Sequence, residues 1–322
     1  MAIVIKGTGS ALPERIVTNN ELSALVDTND EWIKERTGIE SRHVSTGDTV
    51  ASLASTAARK ALEEAGVDPE NIDIIIVASC SAEMALPCVA CQVQSAIGAK
   101  NAVAFDLNAA CAGFLFAMNT VDSYITSGIY KNALVIGAEV LSKIVDWTDR
   151  GTCILFGDGA GAVYFEKDES KSTPLCFVQR SDGTKGSVLA CGQREHKNAF
   201  YEGEKNTKYV TMDGKEVFRF ATRQVPEAIM ETLNKAGLTP EDIDCYLLHQ
   251  ANLRIIESIS KRLRVDINRF PTNVQRVGNT SSASIPILLD EVRKAGKLKE
   301  GMKVVLSGFG AGLTYSACII EM

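Results

Sequence analysis

Apolar residues fall along this chain in two recurring patterns. Short unbroken runs, IDIIIVASC (72–80), AVAFDL (102–107), NALVIGAEVL (132–141) and IDCYLLHQ (243–250), read as strands, the first and third of them buried. The segment after Cys111 carries Ala112, Phe114, Leu115, Ala117, Met118, Val121 and Ile125. It is apolar nearly all round, which predicts a helix enclosed between layers. Strands alternating with helices predict an α/β fold with helices on both faces of mixed or parallel sheets.

The pattern occurs twice. Residues 62–73, LEEAGVDPENID, and 233–244, LNKAGLTPEDID, agree at seven of twelve places, 171 residues apart. The same offset carries Gly137 of ALVIGAE onto Gly308 of VVLSGFG. The chain therefore reads as two similar halves, 1–170 and 171–322, with the short segment KDESKSTP (167–174) as the boundary. In each half an Ala-Gly helix cap leads through a proline-containing turn into an apolar strand.

Composition narrows the function classes. Hydrophobic residues make up 45% of the 322, ample for a large core. The net charge of −6 argues against a general nucleic-acid binder. No apolar run approaches the roughly 18 residues of a membrane span, and the N-terminus lacks a signal-peptide core. Nine cysteines, an odd count, favour reduced thiols and a cytoplasmic protein.

Three residues stand out chemically. Cys111, in FDLNAACAGFLF, lies where an apolar strand runs through small residues into a helix. A helix N-terminus there is expected to lower the thiol pKa and favour thiolate, although most buried cysteines are merely structural. Among three histidines, His43 and His196 read as surface loop residues. His249 ends the strand CYLLHQ, the place where α/β folds put active sites. Asn279, in RVGNTSSASIP, precedes a Thr/Ser cluster that is expected to open a helix, so an ordinary N-cap is its plain reading.

Taken together and in order, AACAGF around Cys111, LLHQAN around His249 and GNTSSASIP around Asn279 resemble the β-ketoacyl-[acyl-carrier-protein] synthase III family of the thiolase-like superfamily. The resemblance runs the whole length, from GTGSALPERIVTN through DEWIKERTGI and DWTDRGTCILFGDGAGA to GFGAGLTY. It implies a duplicated five-layer α-β-α-β-α fold. It also implies transfer of an acyl group from acyl-CoA to Cys111, followed by decarboxylative condensation with malonyl-acyl carrier protein.

Roles follow from the same resemblance. The backbone amides of Cys111 and Ala311 form the oxyanion site, and His249 and Asn279 hold the malonyl thioester. Thr28, Trp32, Arg36, Arg150, Gly214, Phe218 and Asn252 line the CoA path, with Trp32 and Arg150 sandwiching the adenine. Leu86, Leu155, Phe156 and Leu189 are expected acyl-pocket walls, Leu86 in a segment that reaches a partner subunit. Arg254, Lys261 and Arg262 form a basic helix face that suits an acidic carrier protein, where a solvated face is the plainer alternative. A homodimer without metal or cofactor is implied, and the primer stays open between acetyl, branched and longer acyl groups.

Rival readings fit less well. GDGAGA (157–162) and GFGAG (308–312) match a dinucleotide loop only in composition, since each is followed by a strand-like run and not by a helix. A degradative thiolase needs a second late catalytic cysteine, and Cys318 lies inside the last apolar strand. A synthase acting on another nucleophile would not need the basic face, and an inactive scaffold would not need the Cys-His-Asn set.

Overall fold

A computed structural model of the chain describes residues 2–170, 175–192, 197–203 and 208–322; His196 and residues 171–174 of the expected boundary lie outside them. The principal strands are β1 (Ala2–Ala11), β2 (Ile74–Ala78), β3 (Val103–Leu107), β4 (Asn132–Glu139), β5 (Gly159–Asp168), β6 (Cys176–Ser181), β7 (Cys245–Leu248), β8 (Lys303–Gly310) and β9 (Thr314–Glu321). The principal helices are α1 (Asp30–Thr37), α2 (Val50–Ala65), α3 (Val89–Ile97), α4 (Gly113–Thr126), α5 (Gly214–Ala236), α6 (Leu253–Leu263) and α7 (Ser284–Lys294).

Two sheets result. The first has the order β1-β5-β4-β2-β3, with β4, β2 and β3 parallel and β5 antiparallel to both of its neighbours. The second has the order β7-β8-β9-β6, parallel between β7 and β8 and antiparallel beyond. Successive side chains of β2 point to opposite faces. Ile74 and Ile76 join a central core with α4 and α7, while Ile75 and Val77 join an outer core with α2 and α3. Across the molecule, Tyr246, Leu248 and Val305 pack under α5 and α6. Strands β2, β4, β7 and β8 are thus covered on both faces, which is why they read as unbroken apolar runs. Three cores separated by two sheets make the five layers α-β-α-β-α.

The offset of 171 persists in three dimensions. Helices α2 and α5 end at Ala65 and Ala236 and are capped by left-handed Gly66 and Gly237. Pro69 and Pro240 open equivalent turns, and β2/β7, α4/α7 and β4/β8 begin at equivalent places. Both glycine-rich segments run into strands, β5 and β9, and neither opens a helix.

His43 corrects one expectation. It belongs to a short strand, Ser41–His43, paired with Ile16–Thr18, and its Nδ1 lies 2.6 Å from the Pro13 carbonyl. Beside it a smaller apolar cluster joins Ile33, Leu141, Ile144, Cys153, Phe156 and Val210. Among the described residues no helix is long and apolar enough to cross a membrane.

Candidate active site

Cys111 follows β3 by four residues and sits in a single 3-10 turn, Ala110–Ala112, that leads straight into α4. Ala110 holds a left-handed backbone, φ 47°. The end of β8 presses against this turn: a Cβ at Gly310 would lie 2.5 Å from the Cys111 nitrogen, so only glycine fits. From the second half, Ser281 mirrors Ala110 with φ 50°, and its buried hydroxyl has no oxygen or nitrogen partner among the described residues.

A cavity of about 300 Å³ opens onto Cys111. Leu141, Ile144, Phe156, Leu189 and Val210 supply apolar wall, and Cys80, Asn108, Ser281 and Ala311 surround the sulfur end. Two of the four expected acyl-pocket residues, Phe156 and Leu189, line it. Leu155 does not. It packs at the edge of the apolar cluster that holds Phe156 and Trp32, without lining the cavity. Leu86 is 82% exposed and away from this cavity.

His249 directly follows β7, its N–H bonded to the Ser307 carbonyl at 2.8 Å. Gly308 lies between the two candidate residues: a Cβ there would be 3.6 Å from both the Cys111 carbonyl oxygen and His249 Cβ. The imidazole is 3% exposed, and burial pushes its pKa down to about 3, so it is neutral. Nδ1 lies 2.6 Å from Ser284 Oγ, and Phe309 meets the ring edge-on. Asn279 Oδ1 accepts the Ser281 N–H at 2.8 Å, which holds the amide still and leaves its Nδ2 to donate elsewhere. The plain N-cap-like reading and the functional one are thus compatible.

The expected thiolate is not the resting form. Burial, the largest influence, pushes the Cys111 thiol up to about 12; the Ser281 hydroxyl eases it down and Glu139 opposes ionisation. Excluding water from the sulfur costs the anion more than one short helix start returns. Glu139, at the end of β4 and fully buried, is itself pushed up by burial. It takes hydrogen bonds from Ser79 at 3.2 Å, from Ser81 and from Ser282 at 2.8 Å, so it joins the two halves beneath the site. Cys80, Ile144, Val210, Ser281, Ser284 and Glu139 were not singled out by the sequence. Their only sequence signal is proximity to a chosen motif.

Along the surface, Arg36 and Arg150 both stack on Trp32, at 4.9 and 5.0 Å from the ring centroid. Arg150 also bonds the Asp27 carbonyl at 2.8 Å. An adenine sandwiched between Trp32 and Arg150 needs a gap of about 7 Å, two van der Waals spacings, so Arg150 must swing aside to admit one. Asn252 caps α6 through Arg254 N–H and reaches the Arg36 carbonyl at 3.0 Å. Thr28 Oγ1 is buried without a partner among the described residues, Gly214 opens α5, and Phe218 lies 6.0 Å beneath the Arg254 guanidinium. On α6, Arg254, Lys261 and Arg262 are exposed, and Arg262 also ties α6 to α5 through the Thr222 carbonyl at 2.7 Å.

A duplicated five-layer fold with a buried cysteine at a helix start, a neutral histidine and an asparagine amide defines a thiolase-like condensing enzyme. The comparisons make this specific. The 3-oxoacyl-[acyl-carrier-protein (ACP)] synthase III family matches residues 105–183 and its C-terminal counterpart residues 233–322. The β-ketoacyl-[acyl-carrier-protein] synthase III of Clostridium acetobutylicum is 48% identical, covering 99% of this chain and 98% of that protein. That of Lactococcus lactis subsp. cremoris is 47% identical, over 97% and 96%. The crystal structure of 3-oxoacyl-[acyl-carrier-protein] synthase III from Aquifex aeolicus superposes with a TM-score of 0.94 at 42% identity over both whole chains. The chain belongs to the β-ketoacyl-[acyl-carrier-protein] synthase III family, the acyltransferases that condense acyl-CoA with malonyl-acyl carrier protein to begin fatty acid synthesis.

Proposed function

We propose that Cys111 carries the acyl group and that His249 and Asn279 serve the condensation. The observation that carries this reading is that Gly308 lies against both Cys111 and His249, while Ser281, whose N–H Asn279 holds, lines the cavity that opens onto Cys111. In the first half-reaction the Cys111 sulfur attacks the acyl-CoA carbonyl. The C–S bond to CoA breaks, a C–S bond to Cys111 forms, and the thiol proton leaves on CoA. The amides of Cys111 and Ala311 take the transient oxyanion. Ala311 is not among the non-glycine residues with left-handed backbone, so alanine fits there without strain.

In the second half-reaction the malonyl C–C bond to the carboxylate breaks, carbon dioxide leaves, and the electron pair enters the thioester as an enolate. The N–H groups of His249 and Asn279 donate to the enolate oxygen. A neutral buried imidazole suits that role, because it offers a fixed dipole without competing for a proton. The enolate carbon attacks the Cys111 thioester. Its C–S bond breaks, and a solvent proton restores the thiol. The bond changes require neither metal nor redox cofactor.

Trp32, Arg36, Arg150 and the start of α5 serve the CoA path, and the exposed α6 cations meet the carrier protein. We also read the protein as a cytoplasmic homodimer. Met84 and Leu86 stand exposed, and β3 ends its sheet with Val103 open to solvent, surfaces a second copy would cover. The test is a panel of acyl-CoA primers with malonyl-acyl carrier protein, product read by mass. A 3-oxoacyl-carrier product with at least one primer is expected. Its absence with all primers, from folded protein, refutes the reading.

A further inference from the structure

His249 and Ser284 stand 171 residues after Ala78 and Gly113, so the same two places in the duplicated fold are filled twice. In the first half they pack without polarity: a Cβ on Gly113 would lie 3.0 Å from Ala78 Cβ. In the second half a hydroxyl meets an imidazole there. Ser284 Oγ lies 2.6 Å from His249 Nδ1, and Ser284 is only 1% exposed. The same oxygen also faces the backbone N–H of Gln250, at a long 3.4 Å.

From these contacts we infer that Ser284 is a positioning residue: it gives its hydroxyl proton to His249 Nδ1, fixes the ring proton on Nε2, and so makes His249 a donor to the malonyl thioester and not a base for the Cys111 thiol. The inference rests on the reading of His249 given above and adds to it the group that sets its tautomer.

Counting protons decides the direction. A serine hydroxyl has one proton and two lone pairs, and a neutral imidazole has one N–H and one bare nitrogen. The Gln250 N–H can only donate, and it takes one lone pair of Oγ. If Nδ1 carried the ring proton it would take the other. The hydroxyl proton would then have no acceptor among the described residues, in a place closed to water. The opposite assignment satisfies every group: Gln250 N–H to Oγ, Oγ–H to Nδ1, and Nε2–H left for the substrate. An orphaned buried donor biases such an equilibrium by about tenfold or more. Phe309, edge-on to the ring at 5.3 Å between centroids, keeps the imidazole in the plane that this bond requires.

Nitrogen-15 NMR of the full chain with ring-labelled histidine reads the tautomer directly, since only three histidines are present and His249→Ala assigns the signal. At pH 7 the expected result is a protonated Nε2 and a bare Nδ1 for His249. Protonated Nδ1 overturns the inference. In Ser284→Ala the two tautomers are expected to mix. Decarboxylation and condensation are expected to fall about ten- to a hundredfold, while acyl transfer to Cys111 stays within about twofold of wild type. Ser284→Thr, which keeps the hydroxyl, restores the tautomer and most of the rate. Equal loss of both half-reactions in folded Ser284→Ala overturns the inference, because His249 would then be serving the thiol. Should Ser284→Ala fail to fold, the wild-type spectrum still decides. A wild-type enzyme that condenses no primer refutes the functional reading, while the tautomer remains measurable in its own right.

Discussion

Replacing Asp122 by asparagine is expected to stabilise the protein at pH 8 and to change little near pH 4. Asp122 lies on α4, the helix enclosed between the two sheets, and its side chain is 9% exposed. Its Oδ1 has no hydrogen-bond partner among the described residues. Burial raises its pKa to about 6, against about 3.9 for an unfolded aspartate. A carboxyl whose folded pKa is raised favours the native state in its protonated form. That advantage is whole below about pH 4, shrinks as pH rises towards 6, and is gone above it. At 1.36 kcal/mol per pKa step, the ionised group costs at most roughly 3 kcal/mol. Asparagine removes the charge but keeps a buried amide, so a net gain of about 1–2 kcal/mol is expected at pH 8. Urea unfolding of both proteins from pH 4 to 8.5 measures the difference. The gap should open between pH 4 and 6 and stay level above 7. A constant gap, or one that shrinks as pH rises, refutes the reasoning.

Three further outcomes are expected. Iodoacetamide is expected to reach exposed Cys191 before Cys111, and the Cys111 rate is expected to climb with pH through 9 without a plateau, because burial pushes its thiol up to about 12; a plateau near pH 7 would indicate a thiolate–imidazolium pair. His249→Ala and Asn279→Ala are each expected to lose condensation by about a hundredfold or more while still trapping radiolabelled acyl on Cys111, and loss of trapping in His249→Ala would assign that residue to the thiol. Arg254→Glu is expected to raise KM for malonyl-acyl carrier protein and flatten its salt dependence, leaving acyl-CoA transfer unchanged; one exposed pair is worth only about 0.2–1 kcal/mol, so an identical KM and salt slope would make α6 a solvated face.

Much of the architecture was legible because repetition and burial both leave marks in one dimension. The doubled strands gave unbroken apolar runs, and the Ala-Gly caps with their prolines recurred at a fixed offset. Placing His249 needed only the end of a strand. What could not be read depends on depth and facing. The sequence around Cys111 announces a helix start but not how completely water is shut out, and that exclusion reverses the expected thiol pKa. Leu155 and Phe156 are interchangeable as apolar letters, and only the folded chain shows that Phe156 is the one lining the cavity. Glu139 reads as the polar end of a strand, and its bond to Ser282 joins places 143 residues apart. For His43, a polar neighbourhood suggested a loop where the chain forms a two-strand ribbon.

That bond to Ser282 carries a consequence for how many sites one chain can have. Ser282 is the counterpart of Cys111 in the second half, and Glu139 is the counterpart of Gly310. Around Cys111 the glycine lets the end of β8 press directly against the turn. Around Ser282 the same place is filled by a carboxyl that holds the hydroxyl at 2.8 Å. On the reading proposed for Cys111, a molecule built from two like halves then has a single reaction centre. The idle counterpart has become a clasp between the halves, so a change that reopened it, such as Glu139→Gly, would loosen the floor under Cys111 without creating a second enzyme.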